Sequence, residues 1–353
     1  MIKMSNEIKP LVSVCCLVYN HEPYLRDCFE GFVKQQTTFP FEILVHDDAS
    51  TDHSADIIRE YTAKYPHLFK PIYQTENQYS KGIRVTIQYQ YPRAQGKYIA
   101  LCEGDDYWTD PHKLQMQVDW LEAHPEYSMC CSNAFIQSPK RTLSGARYWK
   151  DCDIPIVDMI NGIRCFIQTN TFVFKRCLLD YYPEYCKNCH IGDYPLQIWA
   201  ALNGKVRYFK KKTSVYRYCH SNSFTASIYP KEINSFIKGT KSEFAMLQGL
   251  DAFSNYRYHK TFSKVASSFV FENAFFYAAA RRNKKYINEI LSCFPEIDQS
   301  FSFSQKIDLF IATHLPFFFY KSKRIACQIL KVVLRPNSRN LFDFYQKILE
   351  TLK

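Results

Sequence analysis

Residues 101–110 read "LCEGDDYWTD", with Glu103, Asp105 and Asp106 in four positions directly after the apolar run "YIALC". Like charges this close repel, and an unpaired carboxylate is costly in a core. Glu103 and Asp105 are two apart and can point to one side. That suits a ligand pair for a hard cation, Mg²⁺ or Mn²⁺, whose shell is completed by water and phosphate oxygens. Asp110 differs, because it precedes the helical run "PHKLQMQVDWLEAHP", where a carboxylate favours the helix N-terminus. A second acidic group, "HDDASTDHS", carries Asp47 and Asp48, with Thr51, Asp52 or Ser54 able to cap the next helix. Asp48 is placed to hydrogen-bond a base or a ribose. In "VYNHEPYL", Tyr19 offers an aromatic for base stacking and Asn20 an amide for the loop. Lys81 and Arg84, in "YSKGIRVT", either reach phosphates or belong to a solvated loop.

The elements that must position these groups are legible from periodicity. "LVSVCCLVYN" reads as a buried strand, and "EPYLRDCFEGFVKQ" as a helix with Leu25, Phe29 and Phe32 on one face. "FEILVHDDAS" is a second strand, "SADIIREYTAKY" a second helix, "FKPIYQ" a third strand and "KYIALC" a fourth. This alternation of apolar strands and amphipathic helices predicts an α/β domain with a mostly parallel sheet covered by helices. Ligands of such sheets bind beyond the carboxyl ends of the strands, where both acidic groups fall. Residues 126–180 read as short strands and loops, "DYPLQIWAALNG" as a helix ending at Gly204, and "KVRYFKKKTSVYRYCHSNS" as a hairpin or strand pair. Beyond about residue 230 the pattern is helical.

Composition bounds the partners. Of 353 residues, 46% are hydrophobic and 16% aromatic, which is a globular composition. The net charge of +11 is concentrated: residues 1–230 hold 26 Lys and Arg against 24 Asp and Glu, and residues 231–353 hold 19 against 10. A basic C-terminal module suits an anionic membrane surface or an acidic partner. "LFIATHLPFFFYKSKRIACQILKVVLR", with Lys321, Lys323, Arg324, Lys331 and Arg335, resembles an amphipathic surface helix; packing on the catalytic domain or on a second copy is the alternative. No nucleic-acid-binding signature accompanies the charge, so nucleic acid is not an expected partner. The 14 cysteines read as free thiols of a reducing, cytoplasmic setting, since several lie in strand-like runs and the start shows no signal-peptide core. "CKNCH" at 186–190 has haem-attachment spacing but no exported context, and no second C-x-x-C is present to complete a zinc site.

The ordered set "VSVCCLVYNHEPYLRDCFEGFVKQ", "FEILVHDDASTDHSADIIREY" and "AQGKYIALCEGDDYWTDPHKLQMQV" resembles the inverting family 2 glycosyltransferases of the GT-A fold, of bacterial surface-polysaccharide type. The resemblance covers roughly residues 10–225 and implies a GT-A catalytic domain over 1–230, followed by a basic helical region over 231–353. It implies that Tyr19 and Asp48 hold the nucleotide base. It also implies that Glu103-Gly104-Asp105 is the D-x-D element for ribose, diphosphate and Mn²⁺ or Mg²⁺, with Glu103 departing from the usual Asp. Asp105 and Asp106 are the metal ligands by this likeness. Asp193 is the catalytic base at a helix start, compatible with its being the N-cap before Pro195. "VYRYCHSNS" resembles the segment that closes over the diphosphate, which makes His220 a third metal ligand or phosphate contact and Arg217 its charge partner.

The implied reaction moves a sugar from a nucleotide-sugar donor, a UDP-sugar first, to a hydroxyl of a glycan or lipid-linked glycan. The implied place is the cytoplasm or the inner face of its membrane. Two other readings are a non-catalytic nucleotide-sugar binding protein and a nucleotidyltransferase. The latter wants a Gly-rich basic loop that "VYNHEPYL" lacks.

Overall fold

The computed structural model describes residues 9–138, 141–145, 148–162, 167–189, 191–218, 232–281 and 285–298. His220 and the basic run 321–335 lie outside the described residues. The chain divides into two compact units, Met1–Ile228 and Tyr229–Lys353.

The first unit is built on one ten-stranded sheet, order β3-β2-β1-β4-β9-β6-β10-β5, with β7 beside β6 and β8 beside β10. β1 (Val12–Val18), β2 (Phe41–Asp47), β3 (Phe69–Tyr73) and β4 (Tyr98–Leu101) are mutually parallel, as continuous apolar strands joined by helices require. α1 (Glu22–Val33) and α2 (Ser54–Lys64) make the first two crossovers, and a short π-helical and 3₁₀ stretch over 86–93 makes the third. β5 (Tyr107–Trp108) and α3 (Lys113–Ala123) come after the acidic turn. As expected, Asp110 serves α3, its Oδ1 accepting the His112 N–H at 3.1 Å.

α1 buries Leu25, Cys28, Phe29 and Phe32 at helical spacing. Phe29 packs edge-on against Tyr61 of α2 (5.1 Å) and Phe69 of β3 (5.0 Å), and Phe32 against Trp108 (4.7 Å). Each such side chain contributes about 1.5–3 kcal/mol by burial. The Phe32–Trp108 contact ties the acidic turn to the core.

The second half of the sheet departs from the sequence reading in two places. β6 (Tyr127–Ser138) is a 12-residue strand, not a short one. β10 (Lys205–Arg217) is one 13-residue strand rather than a hairpin. β10 runs parallel to β6 with register shifts between Phe209, Lys212 and Ser214, so its lysine run interrupts the apolar pattern without ending the strand. β7 (Arg141–Ser144) and β8 (Cys152–Asp153) are edge pieces, followed by α4 (Ile156–Asn161). β9 (Val173–Lys175) enters antiparallel between β4 and β6. α5 (Glu184–Lys187) and α6 (Asp193–Leu202) complete the unit. Gly204 comes after α6 as expected, but its reason is packing: a Cβ there would lie 2.9–3.0 Å from Ser128 and the Glu126 carbonyl.

The second unit holds α7 (Ile233–Phe253), α8 (His259–Arg281), α9 (Lys285–Ser292) and α10 (Pro295–Asp298). Phe236 stacks on Tyr277 (4.5 Å), and Asn273 Nδ2 reaches Thr240 Oγ1 (3.3 Å). α7 and α8 therefore form an antiparallel hairpin. Among the described residues no helix is long and apolar enough to cross a membrane, and every described cysteine is a free thiol.

Candidate active site

After Leu101 the chain leaves β4 but stays against β1: Cys102 N–H donates to the Cys15 carbonyl (3.1 Å) and Gly104 N–H to that of Leu17 (2.8 Å). A Cβ on Gly104 would lie 2.9 Å from His21 Nδ1 and 3.0 Å from atoms of Leu25 and Val18. Glycine therefore lets the turn press onto the end of β1 and the start of α1. His21 Nε2 lies 3.9 Å from Asp105 Oδ2.

Asp106 is buried, and its Oδ1 accepts the Arg217 N–H at 2.7 Å. That bond competes with the metal-ligand role read for Asp106 from sequence. Burial holds its carboxyl well above the usual range, with the Asp105 charge adding to the effect. The side chain fastens the end of β10 to the turn. Arg217 adds to the same clasp instead of serving only as a charge partner further along. Its Nη1 donates to the Asp105 carbonyl (2.8 Å), its Nη2 to Asp27, and its guanidinium covers the rings of Tyr107 (4.4 Å) and Tyr24 (5.0 Å).

Glu103 keeps a face to solvent, yet the surrounding protein desolvates it. That desolvation, then the charges of Asp105 and Asp193, pushes its pKa up to about 8. The start of α6 thus lies within electrostatic reach of the acidic turn. Asp193 Oδ1 accepts the Tyr194 N–H (2.8 Å) and Oδ2 the Thr169 hydroxyl (3.1 Å). Burial raises its pKa, while these two bonds and the Arg84 charge oppose the rise. Asp193 is the first residue of α6 and not its N-cap as expected: Gly192 holds that position, and no side chain caps the helix. Arg84, read as a phosphate contact or loop residue, has its guanidinium beside Gly192: a Cβ there would sit 2.8 Å from Arg84 Nη2.

The ends of β1 and β2 are tied together. Asn20, at φ 55°, accepts the Thr51 N–H on Oδ1 (2.7 Å), and its own N–H donates to Ser50 Oγ (3.0 Å). Its amide is thus spent on the loop. Asp48 is buried, and its two oxygens accept the Gln78 (2.8 Å) and Tyr79 (3.0 Å) N–H groups. This carboxylate organises residues 78 and 79, and the base or ribose role read for it has to compete with those bonds. Asp47 is buried beside it, its pKa raised by desolvation, and its Oδ1 has no hydrogen-bond partner among the described residues. Tyr19 stands 43% exposed, open to a stacking ligand. Lys81 is ion-paired with Glu76 on the surface, which accords with the solvated-loop alternative.

His21 and Thr169 are the neighbours that sequence reasoning missed. His21 sits inside the quoted "VYNHEPYL", so its place at the loop after the first strand was the available signal. Thr169 carried none, because nothing local in "IQTNTF" links it to a carboxylate 24 residues away.

Among the described residues no three His, Cys, Asp or Glu side chains are set to enclose a metal ion. A hard divalent cation that also binds a diphosphate needs only one or two protein carboxylates. Desolvation lifts Glu103 first and the Asp105 and Asp193 charges add to it; a cation would offset both, so Glu103 and Asp105 fit the group.

Residues 13–180 match the family described as glycosyl transferase family 2. An uncharacterized protein of Mycobacterium tuberculosis is 37% identical over 227 residues, 62% of this chain and 61% of that one. The match thus spans less than two thirds of that relative. The putative teichuronic acid biosynthesis glycosyltransferase TuaG of Bacillus subtilis is 34% identical over 113 residues, 32% of this chain and 42% of that one. Among solved structures, S. aureus TarS 1-349 in complex with UDP-GlcNAc superposes with a TM-score of 0.62 at 16% identity, over 88% of this chain and 89% of that chain. Over residues 13–180, just under half of the chain, the sequence matches glycosyl transferase family 2, and the fold is of the GT-A type.

Proposed function

We propose that the chain is an inverting glycosyltransferase that moves a sugar from a nucleotide-sugar donor to an acceptor hydroxyl in bacterial polysaccharide assembly. The observation that carries this reading is that Asp105, in the turn after β4, and Asp193, at the start of α6, both act electrostatically on Glu103. Asp193 takes the proton of the acceptor hydroxyl as the new bond forms at the anomeric carbon. The bond from that carbon to the diphosphate breaks on the opposite face, and the nucleoside diphosphate leaves with the electron pair. Only one carboxylate acts as base, so a glycosidase pair is not needed. Asp105 and Glu103 would hold Mn²⁺ or Mg²⁺, which would supply charge neutralisation at the leaving diphosphate. Tyr19 stacks on the base.

The TarS complex makes UDP-GlcNAc the first donor to try, and the TuaG likeness points to a cell-wall or exopolysaccharide acceptor. A membrane-face location belongs to the same reading if the acceptor is lipid-linked. The test is a thermal-shift and hydrolysis screen of nucleotide sugars with and without Mn²⁺. A stabilising donor, lost in Asp105→Ala, is expected, together with turnover lost in Asp193→Asn. Full turnover by Asp193→Asn refutes the base, and no response to any donor refutes the reading.

A further inference from the structure

The hairpin of the second unit ends in a turn with unusual chemistry. α7 closes at Phe253 and α8 opens at His259, and the five residues between them include two non-glycine residues in the left-handed region, Asn255 (φ 52°) and Tyr256 (φ 57°). A bulky residue pays steric strain there, so its surroundings must hold it. They do so through a defined set of bonds. Tyr256 N–H donates to the Asp251 carbonyl (3.0 Å), Asn255 N–H to that of Ala252 (2.9 Å), and Ser254 Oγ to that of Asp251 (2.7 Å). The buried Asp251 carboxylate receives His259 Nδ1 at 2.7 Å, and the His259 ring stands edge-on to Tyr256 at 5.9 Å.

This well-braced turn presents apolar rings to solvent: Phe253 is 46% exposed and Tyr256 63%. Around them Arg257, Lys260 and Lys264 are exposed, and residues 252–271 contain no Asp or Glu. Asp251, the one carboxylate at the turn, is buried and paired with His259. One packed cluster, around Phe236, Val270, Tyr277 and Ile290, joins the first half of α7 to the second half of α8, and Met246, Leu247, Leu250 and Phe262 are buried nearer the turn. α7 has 21 residues, so this end lies about 30 Å from the start of that helix. The exposed side chains of the turn include Phe253, Tyr256, Arg257 and Lys260. This composition matches the headgroup layer of a bilayer, where amphipathic rings and cations are most stable.

We propose that the turn between α7 and α8 is a membrane-docking tip that seats Phe253 and Tyr256 among the headgroups of an anionic bilayer, with Arg257, Lys260 and Lys264 on its phosphates. Every residue involved lies in the second unit, so docking and sugar transfer are measured independently. The experiment is flotation of the full chain with phosphatidylcholine vesicles with and without phosphatidylglycerol. Wild type floats with the anionic vesicles, less so at high salt. Both Phe253→Ser/Tyr256→Ser and Arg257→Glu/Lys260→Glu lower the bound fraction, about tenfold for the charge reversal, with unchanged circular dichroism. In Tyr256→Trp, bromine-labelled lipid quenches more emission than in wild type, a readout that does not depend on a weakened variant. Variants that float like wild type place the contact elsewhere, in 321–335 for example, and overturn the proposal. Absence of binding, equal binding to neutral vesicles, or no added quenching overturns it as well.

Discussion

Thr169 Oγ1 donates to Asp193 Oδ2 at 3.1 Å, while the Tyr194 N–H holds Oδ1 at 2.8 Å. The two bonds fix the carboxylate from both sides and stabilise its charged form against the desolvation that raises its pKa. Thr169→Val keeps the shape and removes the donor. Its turnover should fall about tenfold, the scale of one charge-assisted hydrogen bond. The acidic limb of its rate profile should move to higher pH, because the base is easier to protonate. Thr169→Ser should restore both. A pH profile that does not move in Thr169→Val would leave Thr169 a packing residue.

Arg217 joins three pieces of chain: the acidic turn through the Asp105 carbonyl, α1 through Asp27, and β10 through its own backbone on Asp106. The flat guanidinium also lies over Tyr107 and Tyr24. An ammonium on a flexible stem cannot reproduce a fork and a stacked plane together. Arg217→Lys should therefore behave almost as badly as Arg217→Met. Each should lower donor affinity, and each should cost about 1–3 kcal/mol of stability through the lost charged bonds. Calorimetry with and without donor checks both. A wild-type Arg217→Lys would show that charge alone is enough.

Glu103 sets a pH dependence of known sign. Its pKa rises from 4.5 in the free side chain to about 8 in the fold, so the folded chain retains a proton that the unfolded chain releases. The contribution to stability is full below about pH 4.5 and is lost as pH climbs towards about 8. Asp193, shifted in the same direction, adds to it. Metal-free protein should thus show a melting temperature that declines across this window more steeply than that of Glu103→Gln. Mn²⁺ should restore stability most at the alkaline end. Parallel curves for the two proteins would mean that Glu103 ionises freely.

Much of this arrangement could be read from sequence because it is local. Strands β1, β2 and β4 are built on apolar runs, and α1 places Leu25, Phe29 and Phe32 at one spacing, so most of the parallel half of the sheet emerges from periodicity. The acidic turn and the helix-start aspartate were visible as residue types at strand and helix ends. Roles that depend on long-range partners were not visible. Asp106 looked like a ligand, yet a backbone N–H 111 residues away engages it. Asp48 looked like a base contact, yet two loop N–H groups 30 and 31 residues on take its oxygens. The lysines of "FKKKT" disguised a 13-residue strand as two, because bulges let the ladder continue past them. A sequence shows which groups can ionise, whereas only the fold shows which of them are already bonded.

Two glycines should separate stability from function. A Cβ on Gly96 would sit 2.5 Å from the Ser13 nitrogen and 2.7 Å from the Val12 carbonyl carbon, both backbone atoms inside the sheet that cannot yield. Gly96→Ala should therefore cost about 1–3 kcal/mol of stability, as overpacking does, and leave the activity of the surviving folded fraction intact. On Gly104 the same atom would meet the side-chain ends of His21, Leu25 and Val18, which can give way. Gly104→Ala should melt nearer to wild type but push the turn off β1, displacing Glu103 and Asp105 and weakening donor and Mn²⁺ binding about tenfold or more. Melting curves and donor titrations on the two variants decide it. If Gly104→Ala loses only stability, the close fit of the turn against His21 is a packing detail and not what positions the carboxylates.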